Sequence, residues 1–286
     1  MLADNGQRAS VVLPDGTKVW LNSHTKLNYK SDYGVKERSV SLSGEAYFEV
    51  SKDTLRRFLV NAGDMEVEAL GTAFNVKAYE EDDEVVTTLF EGSVRTAVGK
   101  EFVILSPDES AVLADNGQRA SVVLPDGTKV WLNSHTKLNY KSDYGVKERS
   151  VSLSGEAYFE VSKDTLRRFL VNAGDMEVEA LGTAFNVKAY EEDDEVVTTL
   201  FEGSVRTAVG KEFVILSPDE SAVFNKSSHI LSVNHPTNAS YARLWRTNEL
   251  AFSGESLEEI VVLLNRMYNV EVRFLSNKIK GYSFSG

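Results

Sequence analysis

The chain has 286 residues, of which 42% are hydrophobic and 26% charged, with a net charge of −12 and no cysteine. Without thiols it can form no disulfide, no thiol nucleophile and no cysteine-held zinc site, and an acidic body argues against a nucleic-acid partner, because phosphate neutralisation needs a basic surface. No apolar run approaches the roughly 18 residues that span a bilayer, and no signal peptide follows Met1.

Residues 2–112 recur without a substitution as residues 113–223, at an offset of 111. Old tandem repeats drift apart, so this duplication is recent or artificial. The period far exceeds the 20–50 residues of a solenoid repeat, so each copy is expected to be a domain. Each copy carries 19 acidic and 12 basic residues, and the tail from Phe224 is slightly basic.

Within one copy the elements are almost all strands. Val11–Leu13 and Thr17–Leu21 flank Pro14-Asp15-Gly16, where proline presets φ and glycine accepts φ > 0, a hairpin signal. Val40 and Leu42 alternate with serines. Ala46, Phe48 and Val50 alternate with Glu45, Tyr47 and Glu49. Met65, Val67 and Ala69, then Phe74, Val76 and Ala78, repeat the two-residue period that places one set on a core and the other towards water. Val85–Phe90, Val94–Val98 and Phe102–Leu105 continue it. Turn signals stand between them, at residues 61–64, 80–84, 91–93 and 98–100. Asp53–Phe58 is the one stretch that could form a helical turn. Many short strands with closely spaced turns predict a mainly β fold: two identical antiparallel β-domains, each a sandwich or a β-helix-like stack.

The tail differs. Phe224–Val233 reads as a last strand of the second copy and Asn234–Asn238 as a linker. Leu250–Phe252 is a short strand. Ser256 with Glu259 forms a capping box. Leu257, Ile260, Val261, Leu264, Met267 and Tyr268 then fall on one face of a helix. Val270–Phe274 and Tyr282–Phe284 read as strands, so the tail is a partial β-α-β-β lobe. The expected domains are 1–112, 113–235 and 242–286.

No motif carries catalytic chemistry. Glu45 and Glu49 share a strand face, but a glycosidase needs carboxylates across a cleft, one of them in an apolar pocket; beside Tyr47 they read as a solvated face. The acidic run Glu80-Glu81-Asp82-Asp83-Glu84 has the oxygen ligands calcium prefers but not the spacing of an EF-hand loop, and reads as a hairpin tip in water. His24, His135, His229 and His235 have no metal-ligand spacing, and no nucleophile elbow accompanies them. The glycines of Gly71-Thr72-Ala73-Phe74 and Glu91-Gly92-Ser93 mark bends. Trp20 and Tyr47 lie opposite the most apolar positions, where they would pack on a second layer. The expectation is no catalytic residue, no metal ligand and no cofactor.

The order of the motifs says more than any one of them. Leu13-Pro14-Asp15-Gly16-Thr17 leads to Val19-Trp20-Leu21-Asn22. Then come Arg38–Val50, Phe58-Leu59-Val60, Leu70-Gly71-Thr72-Ala73-Phe74-Asn75-Val76 and Leu89–Val94. This series resembles the periplasmic domain of FecR-type anti-sigma factors. Trp245 with Leu250-Ala251-Phe252, Ser256–Ile260 and Leu264–Val270 resembles the C-terminal lobe of family members common in Bacteroidetes, a fold similar to the short N-terminal domain of secretins and TonB-linked proteins. The chain departs from the family pattern in the doubled β-domain, in Pro107-Asp108-Glu109 where a Pro-Gly turn is usual, in lacking the sigma-binding region and membrane helix, and in ending about half-way through the C-terminal lobe.

The resemblance implies the periplasmic part of an inner-membrane regulator. Its partner would be the signalling domain of a TonB-dependent outer-membrane transporter importing an iron chelate or a glycan, and it would reach an extracytoplasmic-function sigma factor only through a cytoplasmic region outside this sequence. The rival reading is a carbohydrate-binding or adhesive β-module. The apolar helix stripe would be costly to expose, at roughly 1.5–3 kcal/mol for each large side chain. The lobe is therefore expected to pack on a β-domain of its own chain or on a neighbour, which would make a homodimer. Open strand edges invite strand addition, so Leu250, Phe252, Val270, Val272, Phe274, Tyr282 and Phe284 are the expected partner-binding residues.

Overall fold

The long strand Arg38–Glu49 organises the first copy. In the computed structural model, which describes all residues except 5, 70, 81–84, 100, 115–116 and 147 and the side chain of residue 101, its two halves belong to two different sheets. The first half pairs with Thr25–Tyr29 on one side and Phe58–Ala62 on the other; that sheet continues through Met65–Ala69, Val94–Val98 and Glu101–Leu105. The second half lies between Lys18–Leu21 and Ala73–Ala78, and that sheet extends to Ala9–Val12, Val86–Glu91 and Glu109–Ala114. The expected architecture thus resolves into a two-layer sandwich whose strand switches sheets at a bend. Gly44 sits at the switch with φ 109°, where an added Cβ would lie 2.5 Å from Thr25 Oγ1.

Alternate residues of this strand face the space between the layers, and Val40, Leu42, Ala46 and Phe48 are buried there. Phe48 stacks on Phe74 with ring centroids 5.1 Å apart, and Phe58 closes the same cluster. The predicted hairpin forms around Gly16 at φ 87°.

Among the described residues of this copy, one pairing departs from the antiparallel expectation: Arg38–Ser41 runs parallel to Phe58–Asn61. The cause is the return loop after Val50, which carries the chain from the far end of the long strand back to its start. Arg38, fully buried, holds that loop. Its guanidinium donates to Ser51 O at 2.7 Å and to Arg56 O at 2.8 and 3.0 Å, and pairs with Asp15 at 2.9 Å. Asp53–Phe58 is therefore not a helical turn; it bends under the Arg38 clamp and under Asp53, whose carboxylate accepts from the backbone of Leu55 and Arg56. Burial pushes the Asp15 carboxyl up, but hydrogen bonds from Thr17, Arg38 and Tyr33 outweigh it and hold the group below its usual range.

The chain divides into two compact units, residues 1–113 with 139–143 and residues 114–138 with 144–286. In the second unit the strands recur at the same offset, around Arg149–Glu160, with the parallel pair Arg149–Ser152 against Phe169–Asn172 and the buried Arg149–Asp126 pair at 2.8 Å. The expected single last strand is a hairpin, Ser221–Asn225 with Ile230–Asn234, turning at His229 with φ 55°.

The second unit also contains the tail. A 3-10 helix, Ala239–Thr247, starts at an Asn238 cap and was not expected from the sequence. The predicted helix spans Leu257–Tyr268 with both bonds of its capping box in place, Glu259 N–H to Ser256 Oγ at 3.2 Å and Ser256 N–H to Glu259 Oε2 at 2.7 Å. The lobe strands are Ser253–Ser256 and Ser283–Ser285, paired with each other. Residues 270–274 form no strand; the Val272 N–H donates to Asn265 Oδ1 at 3.0 Å instead. Nor is Leu250–Phe252 a strand, because Leu250 turns into an aromatic cluster, although Phe252 and Gly286 still exchange backbone hydrogen bonds. The lobe is thus strand–helix–strand.

Candidate functional site: a protein-docking face on the β-sandwich

The outer face of the second sheet carries a row of residues directly opposite one another across six strands. In the second unit the row is Ser121, Trp131, Tyr158, Asn186, Thr199 and Ser221. Period-two alternation places all of them outward, because their neighbours Val130, Phe159 and Phe185 point into the core. A register shift beside Ala184 and Phe185 turns Phe201 onto the same face. The rings of Trp131, Tyr158 and Phe201 form a ladder with centroids 5.7 Å apart at each step.

The tail covers this ladder. Trp245, from the 3-10 helix, is buried against Tyr158 with Met267 of the α-helix, and Leu250 and Leu263 pack around them. The Trp245 indole N–H donates to Asn186 Oδ1 at 3.2 Å. Arg246 lies 3.6 Å above the Tyr158 ring, and Arg243 lies 4.8 Å above Phe201, both cation–π contacts. Arg246 also pairs with Glu160 at 3.6 Å, and Arg119 donates to Asn248 Oδ1.

A second anchor joins the helix to the acidic hairpin tip. Arg266, 8% exposed, donates to Glu192 and to Asp193, and its guanidinium lies 4.0 Å above the Tyr190 ring. Burial pushes the Asp193 carboxyl up, but Arg266 and Lys188 overcome this and hold it below its usual range. The tip expected to stand in water, Glu191–Glu195, here receives an arginine; residues 81–84 of the first tip lie outside the described residues.

Beneath Trp245, Glu156 is 6% exposed and accepts from Asn133 at 2.8 Å and Asn186 at 2.9 Å. Burial pushes its carboxyl up, against the pull of Lys188, Asn133, Asn186 and Arg266. The solvated face expected for this glutamate is therefore corrected in the second copy, since the tail removes the water. A cleft of about 630 Å³ remains at its edge, reached by Glu156, Lys188, Thr199 and Asn238.

The first unit displays the same row, and among its described residues none forms a lid over it. Trp20, Tyr47 and Phe90 keep the ladder, with centroids 5.5 and 5.7 Å apart, and Trp20 is 39% and Phe90 46% exposed. Glu45 accepts from Asn22 at 2.8 Å and Asn75 at 3.0 Å, as its copy does, but is only half-buried. A hollow of about 440 Å³ opens among Arg8, Trp20, Glu45, Tyr47 and Asn75.

The FecR protein family pattern matches residues 1–95 and 110–206, and the pattern of the FecR C-terminal region matches residues 249–286. The chain belongs to the FecR family. Two crystal structures of a candidate anti-sigma factor from Parabacteroides distasonis resemble this FecR chain with a TM-score of 0.58 and 29% identity, over 62% of this chain and 82% and 83% of theirs. No curated protein matches the chain.

Of the residues expected to bind a partner of this FecR protein, Leu250 is taken up by the ladder cluster and Phe252 is half-buried. Phe274 is also half-buried, with Lys280 Nζ 5.3 Å above its ring. Val270, Val272, Tyr282 and Phe284 are exposed. Trp245, Arg246 and Arg266, which fasten the lobe, were not singled out from the sequence as contact residues. Their signal was present in Arg243-Leu244-Trp245-Arg246, a dense cluster of the residue types that dominate protein contacts, and in the acidic run that a buried arginine requires.

Proposed function

We propose that this chain is the periplasmic sensing part of an anti-sigma regulator, relaying a signal from the signalling domain of a TonB-dependent outer-membrane transporter to an extracytoplasmic-function sigma factor held elsewhere in the regulator. Family membership and the likeness to the candidate anti-sigma factor support an anti-sigma regulatory role. Among the described residues no helix is long and apolar enough to cross a membrane.

The observation that carries the finer reading is that the lobe is fastened to the sandwich through Trp245 and Arg266 while Val270, Val272, Tyr282 and Phe284 stay exposed to solvent. Such an apolar surface fits a protein contact. Among the described residues Ser283–Ser285 pairs with Ser253–Ser256 alone, leaving an edge for strand addition. A partner gripping that edge would pull on a lobe held to the sandwich by the Trp245 cluster and the Arg266 ion pairs. Titration of the chain with purified transporter signalling domain tests this. Binding that falls at least tenfold in Phe284→Asp supports the reading, and a chain that binds no such domain defeats it.

The carbohydrate-binding alternative finds its support in the first unit, where exposed aromatic rings stand beside Glu45 and Asn75. Saturable glycan binding lost in Trp20→Ala would favour it.

A further inference from the structure

Each chain carries two copies of one docking face and one tail to cover them. In the second unit the tail segment from Asn238 to Asn269 lies on the row Trp131–Tyr158–Asn186. In the first unit the same residues, Trp20, Tyr47 and Asn75, border an open hollow. We infer that the first-copy face is a second binding site for the FecR C-terminal segment, taken in trans from another copy of this chain.

The covered copy defines the occupant's chemistry. Trp245 fills the space beside the ladder and gives its indole proton to Asn186 Oδ1, an acceptor that Asn75 repeats at the rim of the open hollow. Arg246 lies over Tyr158 and pairs with Glu160, whose counterpart in the first copy is Glu49, exposed beside Tyr47. Arg119 reaches Asn248 in the covered copy, and Arg8 borders the open hollow. The receiving groups are thus repeated residue for residue, on strands of the same register. The Glu45–Asn22 and Glu45–Asn75 bonds already stand in the open copy, so the polar base of the site is formed before anything binds. Preorganisation of this kind lowers the cost of association.

A chain's own second-copy face holds its tail at high effective concentration. The first-copy face therefore fills when a further tail is supplied, and such a tail needs no new recognition chemistry. This inference is independent of the transporter partner, whose contact was placed on the lobe's exposed residues Val270, Val272, Tyr282 and Phe284.

The test titrates the full chain with a labelled peptide of residues 237–269. The expected result is one site per chain, weakened at least tenfold by Trp20→Ala in the chain or by Trp245→Ala in the peptide. Glu49→Arg, an exposed change that leaves the sandwich core untouched, should weaken binding several-fold, and Arg246→Glu in the peptide should restore it. Absence of binding to the intact chain overturns the inference. So does binding indifferent to Trp20→Ala and Glu49→Arg, and so does binding that the charge exchange fails to restore. A glycan or signalling-domain ligand that occupies the hollow while the peptide does not would assign the face to that class instead.

Discussion

Two faces of one sequence differ only in what lies over them. Glu45 and Glu156 accept the same two asparagine hydrogen bonds, yet the first is half-buried and the second 6% exposed. Tyr47 and Tyr158 hold the same place in the same ladder, but Tyr158, under Trp245 and Arg246, is 3% exposed. The strands beneath are matched, so the local sequence builds the face and the tail decides whether it is surface or core. Period-two patterning reports which residues point away from a sandwich core; it cannot report whether a further layer lies on that side.

The largest expected effect tests the sameness of the two copies. Arg38→Met and Arg149→Met each remove a buried guanidinium and strand a carboxylate, at about 3–5 kcal/mol. Both should lower the urea midpoint of the affected sandwich equally, because the clamps have matching partners and distances. Unequal losses would mean that the copies differ below the surface.

The next largest tests their difference. Tyr158→Ala should cost about 3 kcal/mol and Tyr47→Ala about 1 kcal/mol, since only the first opens a filled space. Equal costs in denaturant titration would show that the tail does not protect the second face. Asn186→Leu should cost roughly 1–3 kcal/mol, by leaving the Trp245 indole without its acceptor and removing one of the two asparagine donors to Glu156. Asn75→Leu should cost less, because water still reaches Glu45. The indole N–H resonance of Trp245 should lose its exchange protection in Asn186→Leu and keep it in Asn75→Leu.

The smallest effect is a pH dependence. Docking the tail raises the Glu156 pKa above its ordinary value of 4.5, so the protonated form favours docking. That contribution is complete below the ordinary value and is lost as pH rises through the raised one. Acidification from neutral pH towards 4.5 should therefore protect the Trp245 indole more strongly. Asp193, Asp15 and Asp126 behave oppositely: their folded values lie below 3.8, so their stabilisation holds above that value and is lost as pH falls through the lowered ones. Replacing Glu156 with Gln should abolish the gain between neutral and mildly acidic pH. If the gain persists in Glu156→Gln, another group is responsible.

Much of this was legible in the sequence, because strands and helices announce themselves locally. Alternation marked the core-facing residues of Arg38–Glu49, Pro14-Asp15-Gly16 marked a hairpin, and Ser256 with Glu259 marked the first turn of a helix whose apolar spacing then set its length. The motif order further resembled one family. What stayed hidden depends on residues far apart in the chain meeting in space. The parallel pair of Arg38–Ser41 with Phe58–Asn61 follows from a strand long enough to cross two sheets and an arginine that holds the loop returning to its start. The fate of Val270–Phe274 rested on whether another strand lay alongside, which its own alternation could not say. Glu156 has the same local neighbours as Glu45; the tail brought back across the chain, with Trp245 over Asn186, excludes its water. Hydrogen bonding and side-chain direction along a strand are short-range and were readable from the sequence, whereas burial is a property of everything that arrives, and only the tertiary structure decided it.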